Sequence, residues 1–449
     1  MLQSALTRQL NSRRFNTLGA IVVVLLLGGL SASPAVMAQE GEGEKQQQET
    51  KRTGSMSEKT YKKLAEAQEL ADAEDFNGAR RVLDELKASP KLSPYEQAQL
   101  YNFYGFIYYA QEDYKSSIAS YEKVLQQPEI PQGLRDQTLY TLAQLYFTTE
   151  NWQKAIDLVN QWLATASNPG PEPYILLGSA YYSLERWNDM IAPIEKAMSV
   201  ARERDTPVKE QWYLLLRAAY YELEDFKKVK DILEVLVVNW PKKEYWTQLS
   251  AMYGELKSER KQLAAYESAY DQGLLVRSNE LVQLAQLFLQ SQVPYKASRV
   301  LEKGIEEGTI EKNASNYRLL ANSLQLAAED RKAIPALKTA AGMSDDGQLY
   351  VRLANSYLNV SEFDSCIESA QKGLDKGGLR REDNAYIVLG MCLFEKDRYE
   401  QAKKAFRSAA RDKRSAKTAN QWIQFIEREQ DRERQLEQSL KRVRSAQAN

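Results

Sequence analysis

From Glu58 onward one pattern of small and large apolar positions recurs along the chain. Small residues stand at Ala67, Gly105, Ala143, Gly178, Ser250, Ala285, Ala321, Ala354 and Gly390, with Arg217 in the fifth slot. Twelve residues after each comes a second, usually small residue: Ala79, Ser117, Ala155, Met190, Val229, Gln262, Ala297, Ala333, Cys366 and Ala402. Three residues after each first slot sits a large apolar one: Leu70, Tyr108, Tyr146, Tyr181, Tyr220, Tyr253, Phe288, Leu324, Tyr357 and Leu393. Two antiparallel helices approach closely only where both present small side chains, and the large ones then fill the space toward the next pair. An aromatic opens the second helix at Phe76, Tyr114, Trp152, Trp187, Phe226, Phe363 and Tyr399. Most prolines fall between units, where helices must stop. Pro193 and Pro335 fall inside second helices, near the first turns, where a missing N–H is expected to cost least.

The first slots lie 33 to 39 residues apart, which brackets the roughly 34 of the tetratricopeptide repeat. The chain resembles that family over ten units, and the resemblance implies an all-α fold: a tetratricopeptide-repeat superhelical solenoid of about ten helix pairs, residues 58–414. Residues 415–449 read as a C-terminal capping helix and charged tail, with Trp422, Phe425 and Ile426 placed to cover the tenth unit. At the other end, Arg8, Arg13 and Arg14 precede the apolar or small run Leu18 to Leu30, and Val36 and Ala38 supply small residues. That order predicts a signal peptide, residues 1–38, cleaved after Ala38. The alternative is an uncleaved anchor in the inner membrane, because no charge interrupts Leu18 to Ala38. In either case the rest of the chain is expected outside the cytoplasm, in the periplasm. Residues 39–57 are polar, carry Gln46, Gln47 and Gln48, and read as a disordered linker.

Composition adds mostly exclusions. The 60 basic and 61 acidic residues nearly balance, so nothing commits the chain to nucleic acid. Histidine is absent, which removes Ser-His-Asp triads, Cys-His dyads and imidazole metal sites. No phosphate loop, dinucleotide fingerprint or nucleophile elbow occurs. No enzyme activity, cofactor or metal is therefore expected. Asp345 and Asp346 read as an N-terminal cap. The only two cysteines, Cys366 and Cys392, fall on helices that neighbour each other in the stack. A bridge and a pair of small apolar thiols are both compatible with that spacing.

Function in such a stack is expected on the face lined by first helices. Four residues beyond the small slot, Tyr109, Phe147, Tyr182 and Tyr221 point there in units two to five, sharing the face with Gln99, Asn102, Gln137, Gln144 and Gln211. Rigid aromatics beside amides suit an extended, especially proline-rich, peptide. The alternative is that these rings only brace the adjacent helix. Arg318 and Asn322 are four apart on one face, but the following units do not continue a basic pattern, so a carboxylate clamp is not expected. A second patch is basic, Lys403, Lys404, Arg407, Arg411, Lys413, Arg414 and Lys417. It would suit an acidic partner or anionic lipid, including peripheral association with the inner membrane; its alternative is a solvated helix face.

Four loop phrases depart from repeat consensus: Asn168–Tyr174, Pro241–Trp246, Val293–Ala297 and Lys376–Arg380. They resemble exported tetratricopeptide proteins associated with TonB-type energy-transduction systems of Gram-negative bacteria. That resemblance implies a periplasmic scaffold contacting TonB, ExbB and ExbD and supporting uptake of iron complexes. Two other readings stay open: an adaptor for cell-envelope assembly (outer-membrane protein or polysaccharide export), and an adaptor for a peptidoglycan enzyme.

Overall fold

The computed structural model describes residues 55–89 and 91–447. The expected signal peptide and nearly all of the linker lie outside the described residues. Among the described residues there are 21 helices and no strand. None of these helices is long and apolar enough to cross a membrane. The chain divides into two compact units at Asp225/Phe226. In the first, the helices are α1 (Glu58–Asp72), α2 (Phe76–Lys87), α3 (Pro94–Ala110), α4 (Tyr114–Gln126), α5 (Gln132–Thr148), α6 (Trp152–Leu163), α7 (Glu172–Ser183), α8 (Trp187–Glu203) and α9 (Glu210–Glu222). The second holds α10 (Phe226–Asn239), α11 (Lys243–Glu255), α12 (Glu259–Asp271), α13 (Ser278–Gln290), α14 (Pro294–Glu306), α15 (Ala314–Leu326), α16 (Asp330–Gly342), α17 (Gly347–Asn359), α18 (Phe363–Lys376), α19 (Glu382–Phe394), α20 (Tyr399–Ala409) and α21 (Lys413–Gln447).

The small slots do what their spacing implies. Ala67, Ala79, Ala143, Ala155, Ala285, Ala297, Ala321, Ala333, Ala354 and Ala402 have no exposed surface. Where two slots twelve apart carry a serine, they meet directly. The Ser117 hydroxyl donates to the Gly105 carbonyl at 2.8 Å, and Ser250 donates to the Gln262 carbonyl at 2.8 Å. The glycine slots are there for closeness rather than for turning. A Cβ on Gly178 would meet Ile194 Cγ1 at 2.5 Å, and one on Gly390 would meet the Phe406 ring at 2.8 Å.

Each turn inside a pair is built the same way. Seven residues past the first slot the chain takes positive φ, at Glu74, Glu112, Glu150, Glu185, Glu224, Lys257, Gln292, Ala328, Ser361 and Asp397. The next amide reaches back to close the preceding helix, as Asp113 N–H to the Tyr108 carbonyl at 2.9 Å. Two residues after the positive-φ position, the aromatics Phe76, Tyr114, Trp152, Trp187, Phe363 and Tyr399 each begin a second helix.

Pro193 and Pro335 differ from expectation. They stand six and five residues after the starts of α8 and α16, beyond the four N–H groups that a helix leaves free. Each therefore removes one intrahelical bond, and burial of Ile194, Ala197, Ala336 and Leu337 holds those helices in place. At the C-terminus α21 closes the second unit. Trp422 stacks on Phe406 (centroids 5.5 Å, planes 4° apart) and lies 5.5 Å from Phe394, while Ile426 is wholly buried. The cysteines form a disulfide between α18 and α19 with a Cα separation of 6.2 Å, and both residues are fully buried.

Candidate partner-binding site

First helices of successive repeats touch one another, α1 with α3, α5 with α7, α7 with α9 and α17 with α19. The aromatics of repeats two to four sit on first helices α3, α5 and α7, half-buried. Tyr109 tilts against Tyr114 (centroids 6.0 Å), and Phe147 (4.8 Å from Trp152) and Tyr182 (5.5 Å from Trp187) make edge contacts. In each case the partner is the ring that opens the same repeat's second helix, and Phe394 with Tyr399 (5.8 Å) repeats the arrangement in repeat ten. The bracing role weighed from the sequence is thus present. It fixes each ring's rotamer and leaves part of it in solvent. Tyr221 occupies the equivalent place on α9 and is also half-buried. Burial, with Tyr114 beside it, pushes the Tyr109 hydroxyl above its ordinary pKa, so this ring stays neutral across the physiological range.

The amides divide into committed and uncommitted groups. Gln99 donates to the Tyr95 hydroxyl at 3.1 Å, and Gln144 bonds the Tyr140 hydroxyl. Asn102 (half-buried) and Gln137 (exposed) make no side-chain hydrogen bond among the described residues, and Gln211 is exposed near the start of α9. The face of repeats two to four thus holds pre-positioned aromatic edges and free amide groups.

The basic stretch does not form one surface. Lys403 is only 9 % exposed, and its ammonium bonds Glu400 at 2.6 Å and Gln430 at 3.0 Å. Helical periodicity turns it toward α21 while Lys404, Arg407, Arg411, Lys413 and Lys417 point to solvent. Arg414 is engaged by Asp412 at 2.6 Å and by Asp383 at 3.6 Å. Asp383 itself is buried beneath Arg381 and the Ser415 hydroxyl (both 2.6 Å), which hold its carboxyl well below the usual range. Two of the seven expected cations are therefore committed inside the chain.

A set of side chains that sequence reasoning missed joins one repeat to the next. Tyr146, Tyr220 and Tyr253, each three past a first slot, donate to Glu122 (2.5 Å), Glu195 (3.1 Å) and Glu234 (2.5 Å). Every acceptor lies five past the second slot of the preceding repeat. That offset, recurring three times, is the signal that finds them. Lysines just before a second slot cover the same aromatic column: Lys154 over Tyr146 (4.7 Å), Lys261 over Tyr253 (5.5 Å) and Lys296 over Phe288 (5.6 Å).

Among the described residues no group of three or more cysteine, aspartate or glutamate side chains is placed to hold a metal ion. A cleft of about 550 Å³ beside Tyr270 and Phe288 is rimmed by charges that pair with one another, Lys296 with Glu267 (2.6 Å) and Arg299 with Glu302 (3.4 Å).

Residues 96–168 and 383–411 match models of the tetratricopeptide repeat. No curated protein matches the chain in sequence. Among solved structures, a tetratricopeptide repeat protein from Parabacteroides merdae is 15 % identical at a TM-score of 0.34, over 60 % of this chain and 100 % of that one. MamA from Desulfovibrio magneticus is 18 % identical at 0.33, over 38 % and 95 %. YrrB, described as a tetratricopeptide protein with an unusual peptide-binding site, is 14 % identical at 0.35, over 42 % and 96 %. At such values these likenesses carry no argument about partners. The chain thus carries tetratricopeptide repeats at residues 96–168 and 383–411, and the same slot register continues on both sides of these segments.

Proposed function

We propose that this chain is a non-catalytic periplasmic scaffold that holds an extended, proline-rich segment of a partner protein on the first helices of repeats two to five. The observation that carries the reading is the pairing of half-buried rings, Tyr109, Phe147 and Tyr182, each held by a second aromatic, with the uncommitted amides of Asn102 and Gln137 on the helices that carry Tyr109 and Phe147. Stacking against proline rings and amide bonds to an extended backbone need those two groups together. The partner we favour is the periplasmic part of a TonB–ExbB–ExbD-type system serving iron-complex uptake. This follows from the resemblance of the loop phrases and from an export signal expected in residues 1–38. Commitment of Lys403 and Arg414 within the chain weighs against the basic stretch as the main dock.

Titration of the mature protein against periplasmic segments of candidate partners, at low and high salt, tests the reading. Binding that resists salt and weakens in Tyr182→Ala and Phe147→Ala by about 2 kcal/mol supports it, since interface energy concentrates in a few aromatic anchors. Binding abolished by salt and indifferent to Tyr109, Phe147, Tyr182 and Tyr221 rejects it. A pull-down from envelope extracts separates the TonB assignment from an envelope-assembly partner.

A further inference from the structure

The C-terminal helix α21 outruns the stack it closes. It lies antiparallel on α20, with Trp422 stacked on Phe406, the Lys403 ammonium donating to Gln430 Oε1 at 3.0 Å and the Tyr399 hydroxyl donating to Glu433 Oε1 at 2.9 Å. Tyr399 is the first residue of α20, so at Glu433 α21 has reached the end of its neighbour. It nevertheless continues from residue 434 to Gln447, about 20 Å of further helix. Every residue from 434 to 444 is exposed. Ion pairs one turn apart, Arg432 with Glu429 (2.7 Å) and Lys441 with Glu437 (3.2 Å), support a helix there without packing.

That projecting end is not uniformly polar. Leu436, Leu440 and Val443 are 60 %, 48 % and 53 % exposed, and their spacing of four and three residues puts them on one face. The same steps counted backward reach Glu433, Glu429, Ile426 and Trp422. The stripe that closes the tenth repeat therefore runs on into solvent as an uncovered apolar seam of the kind that pairs two helices. Its flanks decide what can cover it. Glu437 and Arg444 stand seven residues apart on the same edge of the seam, directly after Leu436 and Val443. Arg444 has no ion pair among the described residues, and the Glu437–Lys441 pair is exposed on both sides and hence weak.

We propose that Leu436, Leu440 and Val443 are the contact through which two copies of this chain associate, tip to tip and antiparallel. The proposal does not depend on the partner-binding reading. Parallel pairing is blocked by α20, because it would lay the second copy's helix along Trp422, Ile426 and Glu433, the face that α20 already occupies. Antiparallel pairing with Leu440 opposite Val443 of the second copy confines the overlap to the projecting end. In that register Glu437 faces Arg444 of the second copy, and the two-fold symmetry makes the same pair again. The register one heptad deeper would oppose the two Glu437 side chains and set Val443 against Glu433, so like charges disfavour it. An anionic membrane surface suits the seam less well, since residues 427–444 carry five acidic side chains beside six basic ones. Three apolar side chains from each copy make a small contact, so the dimer is weak and forms at high protein concentration.

The test is sedimentation velocity of the mature protein from micromolar to near-millimolar concentration. The expected result is a monomer–dimer equilibrium that Leu440→Glu removes. Glu437→Arg and Arg444→Glu should each weaken the dimer about fivefold or more, and the double reversal should return it to within about twofold of the parent. Because the double variant also lacks the Glu437–Lys441 pair, such a rescue cannot come from helix stability alone. A monomer at every concentration overturns the proposal, and so does a dimer that Leu440→Glu leaves intact. A dimer lost in Leu440→Glu but not restored by the double reversal overturns the antiparallel register. A monomer that co-sediments with phosphatidylglycerol vesicles, and ceases to in Leu440→Glu, would give the seam to a membrane surface instead.

Discussion

At the scale of single residues, Glu96 shows how one side chain can join two helices. Its Oε1 accepts from the Ser57 amide (3.0 Å) and hydroxyl (2.6 Å), and its Oε2 accepts from the Ser93 amide (2.8 Å). Ser57 caps α1 and Ser93 caps α3, so one carboxylate closes both N-termini. Burial alone would raise its pKa, but the Ser57 hydroxyl and the Ser93 and Ser57 amides outweigh it and hold the group at about 2, against an ordinary 4.5. Because the folded value is the lower one, the stabilisation is complete above pH 4.5 and fades as pH falls toward 2. It amounts to about 3 kcal/mol. Denaturant midpoints measured from pH 7 to pH 2 should show Glu96→Gln less stable at neutrality, with the difference from the parent closing on acidification. A constant gap across that range would contradict the assignment. Gly178 makes a second residue-level case. Its missing Cβ lets Ile194 approach, so Gly178→Leu should cost about 1–3 kcal/mol or more. Gly133→Ala, with nothing near its Cβ, should be neutral or stabilising by about 0.5–1 kcal/mol. Thermal melts of both variants separate slot packing from helix propensity.

At the scale of the element, the repeat was legible because its small slots answer to a local geometric need that each unit meets in the same way. What the sequence hid was anything depending on how one unit lands on the next. The Tyr146–Glu122 and Tyr253–Glu234 bonds required knowing which turn of α4 or α10 faces the following first helix. Lys403 looked like part of a basic run because it is adjacent in sequence, whereas helical rotation buries it. The aromatics at Tyr109, Phe147 and Tyr182 were legible in position, but not in their T-shaped and tilted contacts with the next helix. The intra-pair turn was also invisible, since its positive-φ position is filled by glutamate, lysine, glutamine, alanine, serine or aspartate and never by glycine. The left-handed region costs a side-chain-bearing residue about 1–2 kcal/mol, partly offset by the freedom that glycine gains in the unfolded chain. Glu112→Gly and Glu150→Gly, both exposed, should therefore raise stability by up to about 1 kcal/mol each. Because they lie in separate repeats, their effects on the denaturant midpoint should add. A loss of stability in both would show that the glutamates contribute something beyond backbone geometry.

At the scale of the whole molecule, a stack in which each repeat touches only its neighbours stores its stability locally, and the disulfide is a way to ask how locally. Cys366 and Cys392 are 26 residues apart and tie α18 to α19, where α21 also closes the stack through Trp422 and Ile426. Loop-closure entropy over that separation corresponds to about 3–4 kcal/mol of stabilisation relative to an open chain. The bridge therefore reinforces the end of the stack, where a repeat has one neighbour fewer. Replacing both cysteines with alanine removes the link and keeps small side chains at two positions that have no exposed surface, so the cavity term should stay small. Hydrogen exchange followed by mass spectrometry should then show faster exchange across α17 to α21, with α12 to α14 close to the parent. Loss spreading evenly through the second unit would mean that its repeats unfold as a single cooperative block, and the nearest-neighbour account of this stack would have to be abandoned. An unchanged profile at α18 and α19 would instead mean that apolar packing around Phe406 already suffices to hold the end of the stack closed.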